Sequence, residues 1–243
     1  MPLPWLEART PFPPPDAAQP DGLLAASREL TPSRLLDAYH KGIFPWFSAG
    51  DPVLWWSPDP RAVLFPAEFR LSRSLGKTLR RGGFRVRLDT AFSRVMNACA
   101  TIPRPGQDGT WITAEIQSAY IALHRMGWAH SVETWRVDAE GEVLIGGLYG
   151  VAIGRAFYGE SMFARCPDAS KIAFAHLIRY LCQHEFELLD CQVRTRHLFS
   201  LGAREIPRAQ FIERLSRLTA QAAPPGRWPE DGAAQPWRSG DMK

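Results

Sequence analysis

The sequence predicts an α+β fold with a small N-terminal domain, residues 1–66, and a larger C-terminal domain, residues 67–243. Residues 129–154 form two apolar runs around a tight turn of acidic residues and glycine, a pattern typical of a β-hairpin. Helical segments with recognisable N-cap residues lie on both sides of this hairpin. Together these elements predict a largely antiparallel sheet at the centre of the larger domain.

The N-terminal region begins with proline-rich residues, which we expect to be extended or mobile. Thr31 as the N-cap, Pro32 in the first turn and Gly42 as the stop predict a helix between them. The segment that follows is rich in Trp and Pro, which permits only short strands near Val53 and Val63. The small domain is therefore expected to close near Pro66.

The larger region contains further helices and strands in an order without repeats. The predicted helices cover 72–81, 91–100, Thr113 to near Gly127, Asp168 as N-cap through His184, and a last segment opened by Pro207. The predicted strands cover 84–89, 155–160 and 186–193, besides the hairpin. The last twenty or so residues mix Pro, Gly and charges without periodicity, so we expect a mobile C-terminal tail.

Composition excludes several classes of protein. The 243 residues are 45% hydrophobic and 22% charged, which suits one or two globular domains. The four cysteines form no C-x-x-C pair, and the start lacks a basic segment followed by an apolar run. We expect a reduced cytoplasmic setting and no membrane span. The sequence also lacks zinc-ligand, Walker and Rossmann spacings, so neither a metal nor a cofactor is expected. The net charge of +4 weakly favours a polyanionic partner.

Two acidic positions are candidates for catalysis or for structural roles. On the predicted strand, Asp190 and Gln192 share one face, whereas Leu189, Cys191 and Val193 share the other. Asp190 either bonds a neighbouring backbone group or Arg194, or it polarises Gln192 as a hydrogen-bond acceptor that positions an attacking amine. These alternatives are evenly matched from spacing alone.

Glu160 lies among aromatic and apolar neighbours, so a partner cation is the expected way to keep it ionised. The cation could be Arg155 or Arg165 in a structural salt bridge.

Basic and apolar residues also group along the chain. At helical spacing Arg73, Lys77, Arg80 and Arg81 form either a positive face for nucleic acid or an ordinary solvated face. Phe157, Met162, Phe174 and Leu177 are compatible with plain core or with a pocket for an apolar ligand.

Several long motifs resemble leucyl/phenylalanyl-tRNA–protein transferases, in the same order and across nearly the whole chain. They are GIFPWF (42–47), WWSPDPR (55–61), TWIT (110–113), GESMF (159–163) and DCQV (190–193). The resemblance implies that the larger domain has a GNAT-like (acetyltransferase-like) fold. It also implies transfer of Leu or Phe, less readily Met, from aminoacyl-tRNA to proteins that begin with Arg or Lys, which marks them for degradation.

The resemblance assigns roles residue by residue. It implies a catalytic pair, Asp190 and Gln192, and an acid near the acceptor, Glu160. It implies adenosine binding by Trp46 and Trp111, and an amino-acid pocket of Leu148, Phe157, Met162, Phe174 and Leu177. With tRNA as the substrate, the basic face of Arg73, Lys77, Arg80 and Arg81 becomes the expected tRNA-binding surface.

The chain departs from the family pattern at a few positions. Ser27-Arg28 stands where Gly-Gly is frequent, and Ala164 stands where Ser is common, so the loop geometry and one hydrogen bond are in question. Leu148 replaces a frequent Met of similar volume, so pocket size should change little.

Two rival functions remain. An acetyltransferase that uses acetyl-CoA on the same fold would need a glycine-containing phosphate turn, but the segment MFARCP (162–167) has no glycine. A non-catalytic RNA-binding module would bind charged and uncharged tRNA alike and would not need Asp190.

Overall fold

The N-terminal residues form a four-stranded sheet. The computed structural model describes residues 2–103, 110–139, 141–220 and 226–237. In chain order the strands are β1 (Trp5–Leu6), β2 (Leu23–Ser27), β3 (Phe44–Pro45) and β4 (Val53–Trp56). Their order in the sheet is β1-β2-β4-β3, with β1 and β2 parallel and the other neighbours antiparallel. This sheet accounts for the short strand predicted near Val53.

The larger sheet has seven strands. They are β5 (Arg61–Leu64), β6 (Arg85–Leu88), β7 (Ala129–Asp138), β8 (Gly141–Ile153), β9 (Ala156–Ala164), β10 (Leu188–Gln192) and β11 (Arg204–Ile206). Their order is β11-β5-β10-β9-β8-β7-β6, and β9 and β10 are parallel whereas the other neighbours are antiparallel. The hairpin of β7 and β8 and the largely antiparallel centre are thereby confirmed.

Seven α-helices accompany the sheets in the described residues. They are α1 (Pro32–His40), α2 (Arg73–Arg81), α3 (Phe92–Thr101), α4 (Ala114–Arg125), α5 (Ala169–Gln183), α6 (Arg196–Ser200) and α7 (Arg208–Thr219). Two predicted caps are confirmed, since Thr31 accepts from the amide of Arg34 at 3.2 Å and Thr113 from that of Ile116 at 3.3 Å. None of the described helices combines the length and the apolar composition that a membrane span requires.

Asp168 occupies the N-cap position as predicted, but the prediction that its side chain caps the helix is wrong. Asp168 has a left-handed backbone, with φ of 64°, and its side chain makes no capping hydrogen bond. Its carboxylate instead accepts from the ammonium of Lys171 at 2.9 Å. The helix begins where predicted, but an ion pair replaces the expected cap.

The transition between the two sheets lies close to the predicted domain boundary. Strand β5 pairs with β10 and β11 of the larger sheet, although its residues precede Pro66. The chain therefore leaves the smaller sheet after Trp56 and enters the larger one at Arg61. The division into 1–66 and 67–243 stays a prediction.

Alternating side chains place two apolar clusters on opposite faces of the larger sheet. Tyr149 and Tyr158 pack in the cluster that contains α3 and α4, whereas Leu148 and Phe157 pack in the cluster that contains α5. Both faces of the central strands are thus buried. This arrangement explains why β8 and β9 are apolar along most of their length.

The described part of the C-terminal tail is packed against the domain. We call residues 226–237 the C-terminal strap. Within it Ala233 is 2% and Trp237 is 8% exposed. The prediction of a mobile tail is therefore wrong for the strap. Its aromatic side chains pack on residues distant in sequence, which local sequence patterns do not predict.

A buried histidine on α5 fastens the end of the strap. His176 Nδ1 lies 2.6 Å from the carbonyl oxygen of Ala233, and the indole Nε1 of Trp237 donates to His176 Nε2 at 2.7 Å. An indole nitrogen can only donate, so Nε2 accepts and the ring is neutral with its proton on Nδ1. Burial lowers the pKa of His176 to about 4.

We expect acid to loosen this attachment. Between pH 6.5, the ordinary pKa, and about 4, the unfolded chain binds a proton at His176 that the folded chain does not. The free energy of unfolding contributed by His176 therefore falls as pH falls through this window. Thermal unfolding of the unaltered chain and of His176→Phe should show converging melting temperatures on acidification. A constant gap between them would contradict this.

Candidate functional site

A cavity of about 740 Å³ lies beside the end of β10. Its lining includes most of the residues singled out in the sequence: Trp46, Trp111, Leu148, Phe157, Glu160, Met162, Phe174, Leu177 and Gln192. They come from six separate stretches of chain, which the two sheets and α5 bring together. Asp190 and the four basic residues of α2 are not part of the lining.

Asp190 is fully buried behind the cavity, where it pairs with an arginine that sequence reasoning missed. Arg61 donates from Nε to Asp190 Oδ1 at 2.8 Å and from Nη2 to Oδ2 at 2.7 Å, and both side chains are 0% exposed. Two parallel bonds leave neither buried charge uncompensated. Arg194, considered as a partner from the sequence, instead lies 3.6 Å from Glu205.

The Arg61 guanidinium is itself held from several sides. It donates from Nη1 to the carbonyl oxygen of Gly42 at 3.1 Å. Its carbon Cζ lies 4.7 Å from the ring centroids of both Phe44 and Phe211. These contacts fix the arginine in place and so fix the carboxylate of Asp190.

The strand alternation predicted for residues 188–193 breaks at Gln192. This residue has a φ of 61°, in the left-handed region, and the pairing of β10 with β5 shifts register between Asp190 and Gln192. As a result Cys191, Gln192 and Val193 all line the cavity, whereas Asp190 lies behind it. The expectation that Asp190 and Gln192 share a face is therefore wrong.

Asp190 nevertheless contacts Gln192 through the backbone. The amide nitrogen of Gln192 donates to Asp190 Oδ1 at 2.9 Å. A left-handed backbone at a residue other than glycine is strained and persists only where its surroundings fix it. The buried carboxylate provides such a constraint, so it positions Gln192 from behind without touching the cavity.

Glu160 is held by neutral donors. Tyr39 and Tyr120 donate to its two carboxylate oxygens at 2.6 and 2.9 Å, which uses the single proton of each hydroxyl. Arg155 pairs with Glu187 at 3.1 Å, and Arg165 donates to the carbonyl oxygen of Leu144 at 3.2 Å. The prediction of a salt bridge to either arginine is therefore wrong.

The amide of Gln192 is oriented by Glu160. Gln192 Nε2 donates to Glu160 Oε1 at 2.9 Å. The ionised carboxylate only accepts hydrogen bonds, so in that state the NH₂ group must face Glu160. The other end of the amide, the carbonyl oxygen Oε1, is thereby oriented as a hydrogen-bond acceptor for a ligand in the cavity.

The protonation of Glu160 responds to pH near neutrality. Burial raises the pKa of Glu160 to about 7, although the hydrogen bonds from Tyr39, Tyr120 and Gln192 oppose the increase. Burial also raises the pKa of Tyr39 and of Tyr120 well above 10.0, so both hydroxyls stay protonated donors. The charge at this point of the cavity therefore changes around neutral pH.

The apolar lobe of the cavity contains the five predicted pocket residues. Leu148 and Met162 are cross-strand partners on β8 and β9. Phe174 and Leu177 lie three residues apart on α5, so they project from the same side of that helix. Such a lobe favours an apolar group and disfavours a charged one, which would lose its hydration there.

Two indoles line the cavity outside the lobe. Trp46 is 49% exposed, and its ring centroid lies 5.6 Å from that of Trp56. Trp111 is half-buried just before α4. Their flat apolar faces are suited to stacking on a nucleobase.

The basic residues of α2 form an exposed face away from the cavity lining. Leu75 and Leu79 are buried on the inner side of this helix, whereas the outer side carries Arg73, Lys77, Arg80 and Arg81. Across the described ranges, no acidic side chain forms a salt bridge with any of these four. Their charges are available to a polyanion.

Ser27 and Arg28, which depart from the family pattern, occupy ordinary positions. Ser27 is buried, and its hydroxyl accepts from the indole of Trp55 at 2.9 Å. Arg28 is exposed. Ala164 ends β9, where it pairs with Gly146. In the part of the chain that the structure describes, no group of three or more His, Cys, Asp or Glu residues could hold a metal ion.

An amide beside a cavity, next to an apolar lobe and two indoles, suits an enzyme that transfers an acyl group to an amine. Residues 63–216 match the family model for leucyl/phenylalanyl-tRNA protein transferase, and residues 28–59 match the model of its N-terminal domain. The chain therefore belongs to the leucyl/phenylalanyl-tRNA protein transferase family, whose members are aminoacyltransferases.

Relatives named leucyl/phenylalanyl-tRNA–protein transferase match along all or most of their length. The protein of Anaeromyxobacter sp. (strain K) is 56% identical over 97% of this chain and 100% of its own. That of Bordetella avium (strain 197N) is 58% identical over 93% of each chain. Among solved structures, FemX shows a TM-score of 0.48 at 10% identity, covering 72% of this chain and 66% of its own. L-PGS from Bacillus licheniformis shows 0.38 at 10% identity, covering 71% and 54%.

Proposed function

We propose that this chain transfers Leu or Phe, and less readily Met, from aminoacyl-tRNA to proteins that begin with Arg or Lys. The product marks its carrier for degradation, and charged tRNA places the reaction in the cytoplasm. The observation that carries the proposal is the oriented amide of Gln192, set by Glu160 beside an apolar lobe. The names of the relatives support aminoacyl-tRNA as the donor and Leu and Phe as the transferred amino acids.

The reaction needs positioning more than base strength. The α-amine nitrogen of the acceptor attacks the ester carbonyl, an amide bond forms and the ester bond to the terminal ribose breaks. The amine loses a proton and the ribose oxygen gains one. A free α-amine has a pKa of about 7.7 to 8, so a sizeable minority is neutral near pH 7. Holding amine and ester together supplies roughly 7 to 11 kcal/mol.

Gln192 aligns the amine in this proposal. Its carbonyl oxygen accepts a hydrogen bond from the amine and directs the nitrogen lone pair to the ester carbonyl. Asp190 is the positioning residue, because it holds the backbone of Gln192 through one hydrogen bond and is itself fixed by Arg61.

Glu160 attracts the side chain of the acceptor's first residue. Oε1 accepts from Tyr39 and Gln192, whereas Oε2 accepts from Tyr120. A carboxylate oxygen can accept two hydrogen bonds, so Oε2 has capacity for a guanidinium or ammonium group. The ionised form is required for this attraction.

The KM for an acceptor peptide that begins with Arg is therefore expected to fall as pH rises through about 7, the pKa of Glu160. Above that pH the carboxylate is ionised and attracts the cation; below it the attraction is lost. Steady-state kinetics between about pH 6 and pH 8 would measure this change. Glu160→Gln should give a high KM that varies little over the same range. The same pH dependence in this variant would rule out Glu160 as its origin.

The tRNA is assigned to the basic face of α2 and to the two indoles. Each phosphate contact releases counterions, so log KM for tRNA should rise steeply with log salt. The double change Lys77→Ala and Arg80→Ala is expected to lower that slope by about 0.9 per lost contact with duplex RNA, taking the DNA value as a guide. Arg125→Ala, which removes an exposed cation from α4, should leave the slope unchanged. A flat salt response in the unaltered chain would remove the assignment.

We also propose that the larger domain has the GNAT-like (acetyltransferase-like) fold that the resemblance implies. The support is the run of antiparallel strands β6 to β9 followed by α5, which crosses to the parallel strand β10. The start of α5 carries the carboxylate of Asp168, and residues 162–167 just before it contain no glycine, which disfavours a phosphate group there. This observation supports aminoacyl-tRNA over acetyl-CoA as the donor.

The test of the proposed function is a transfer assay read by mass spectrometry. Leucyl-tRNA would be mixed with the enzyme and equal amounts of two peptides, one beginning with Arg and a matched one beginning with Ala. We expect one leucine residue on the N-terminus of the Arg peptide alone. If neither peptide is extended, and charged and uncharged tRNA bind equally well, the chain is a non-catalytic RNA-binding module.

A further inference from the structure

The C-terminal strap lies behind the apolar lobe of the cavity, beyond the residues that the family model matches. Its backbone is hydrogen-bonded to the domain at two points. The amide of Gly226 donates to the carbonyl oxygen of Gly127 at 3.2 Å, and the carbonyl oxygen of Glu230 accepts from Leu88 at 3.0 Å. The strap is therefore docked on the ends of α4 and β6.

Trp228 is the aromatic centre of the strap and is held rigidly. Its ring stacks on His130, with centroids 4.1 Å apart and planes 4° apart, and it lies 4.5 Å from the ring of Tyr180. Its amide nitrogen donates to Asp89 Oδ2 at 2.9 Å. Because His130 Nδ1 also lies 2.8 Å from this carboxylate oxygen, one buried acid fixes both stacked rings.

Trp228 contacts one of the pocket residues from behind. The ring centroids of Trp228 and Phe157 lie 5.8 Å apart. Another side of Phe157 is closed by Gly150, since a Cβ atom there would approach Phe157 Cζ to 2.5 Å. Phe157 lines the cavity yet is 0% exposed to solvent. Gly150 and Trp228 therefore bound the ring on two of its sides.

The strap also contacts α5, the helix that carries two further pocket residues. Phe174 and Leu177 of α5 line the cavity. Other positions of the same helix hold the strap: His176 bonds Ala233 and Trp237, and Tyr180 packs on Trp228. The strap and the pocket thus share helix α5, and Trp228 is the strap residue whose ring also lies near a pocket side chain, Phe157.

We propose that Trp228 is a specificity-determining positioning residue, which limits the depth of the amino-acid pocket by holding Phe157 toward the cavity. The proposal rests on the proposed function, because it concerns the choice between leucine and phenylalanine as the transferred group. Removal of the indole leaves space into which the ring of Phe157 moves. The pocket then becomes deeper, fits leucine less well and accommodates phenylalanine better.

The test compares Leu and Phe transfer by Trp228→Ala and two matched variants. The ratio of kcat/KM for phenylalanyl-tRNA to that for leucyl-tRNA should rise about threefold or more in Trp228→Ala, mainly through a higher KM for leucyl-tRNA. Trp228→Phe keeps an aromatic ring and should stay near the original ratio. Trp237→Phe removes the hydrogen bond to His176 without touching Phe157, so it should lower the melting temperature and leave the ratio unchanged.

Two results would overturn the proposal: an unchanged ratio in folded Trp228→Ala, or an equal change of ratio in Trp237→Phe. If Trp228→Ala does not fold, Trp228→Leu, which fills part of the space without a ring, takes its place with the same expected increase. Failure of the unaltered chain to transfer either amino acid would overturn the proposed function itself, and is recognised because every variant would then be equally inactive.

Discussion

Replacement of Gln192 by glycine is expected to lower kcat for transfer to an Arg peptide by about a hundredfold to a thousandfold. The change removes the amide oxygen that aligns the attacking amine. It keeps the backbone N–H that donates to Asp190, so the bulge in β10 should persist. Single-turnover rates with saturating peptide and leucyl-tRNA would measure the loss.

The stability of this variant separates a catalytic role from a structural one. Gln192 has a φ of 61°, which glycine adopts without strain. The free energy of unfolding of Gln192→Gly should therefore exceed that of Gln192→Ala by about 1 to 3 kcal/mol. The two variants should lose transfer activity equally. Thermal or urea unfolding gives the comparison. Transfer by Gln192→Gly within tenfold of the unaltered rate would exclude Gln192 from aligning the amine.

Replacement of Asp190 by asparagine is expected to cost about 3 to 5 kcal/mol of the free energy of unfolding, because it leaves a buried arginine charge unpaired. Arg61 and Asp190 are both 0% exposed, so water cannot compensate the guanidinium. Transfer should also fall, since an asparagine no longer anchors Gln192 firmly. Urea unfolding and transfer kinetics on the same sample would measure both effects.

A double change distinguishes the two consequences. Arg61→Met with Asp190→Leu removes both charges, and replacing a buried ion pair by apolar groups is often nearly neutral for stability. The double variant should regain much of the stability lost in Asp190→Asn. Its transfer rate should stay low, because the backbone N–H of Gln192 has then lost the carboxylate of Asp190 as its acceptor. Recovery of activity together with stability would show that Asp190 serves folding alone.

Local patterns in the sequence predicted much of the fold because their physical causes are local. The caps at Thr31 and Thr113 and the hairpin of residues 129–154 depend on residues only a few positions apart. The resemblance to known transferases then identified residues that do line one cavity, such as Glu160, Gln192 and Trp111.

The rest of the site depends on contacts between distant parts of the chain. Arg61 is 129 positions from Asp190, and Tyr39 is 121 positions from Glu160. No periodicity connects such pairs, so the sequence suggested nearer arginines as partners. The left-handed backbone of Gln192 was missed for a related reason, because the constraint that imposes it is this same buried pair.

The strap was missed although the sequence held a signal. Trp228 and Trp237 lie in a segment whose prolines and charges predicted a mobile tail. Large aromatic residues in such a segment favour docking on the domain, because burial of an indole lowers the free energy of the folded chain. Composition alone could not show the surface on which they dock.

The most direct test of the central claim is a crystal structure with leucyl-adenosine in which an amide replaces the reactive ester. We expect the leucine side chain in the apolar lobe against Phe157 and Met162, and the adenine stacked on Trp46 or Trp111. The amide carbonyl should then lie near the side chain of Gln192. If the analogue bound elsewhere and left the cavity beside the end of β10 empty, the assignment of this cavity as the site of aminoacyl transfer would be contradicted.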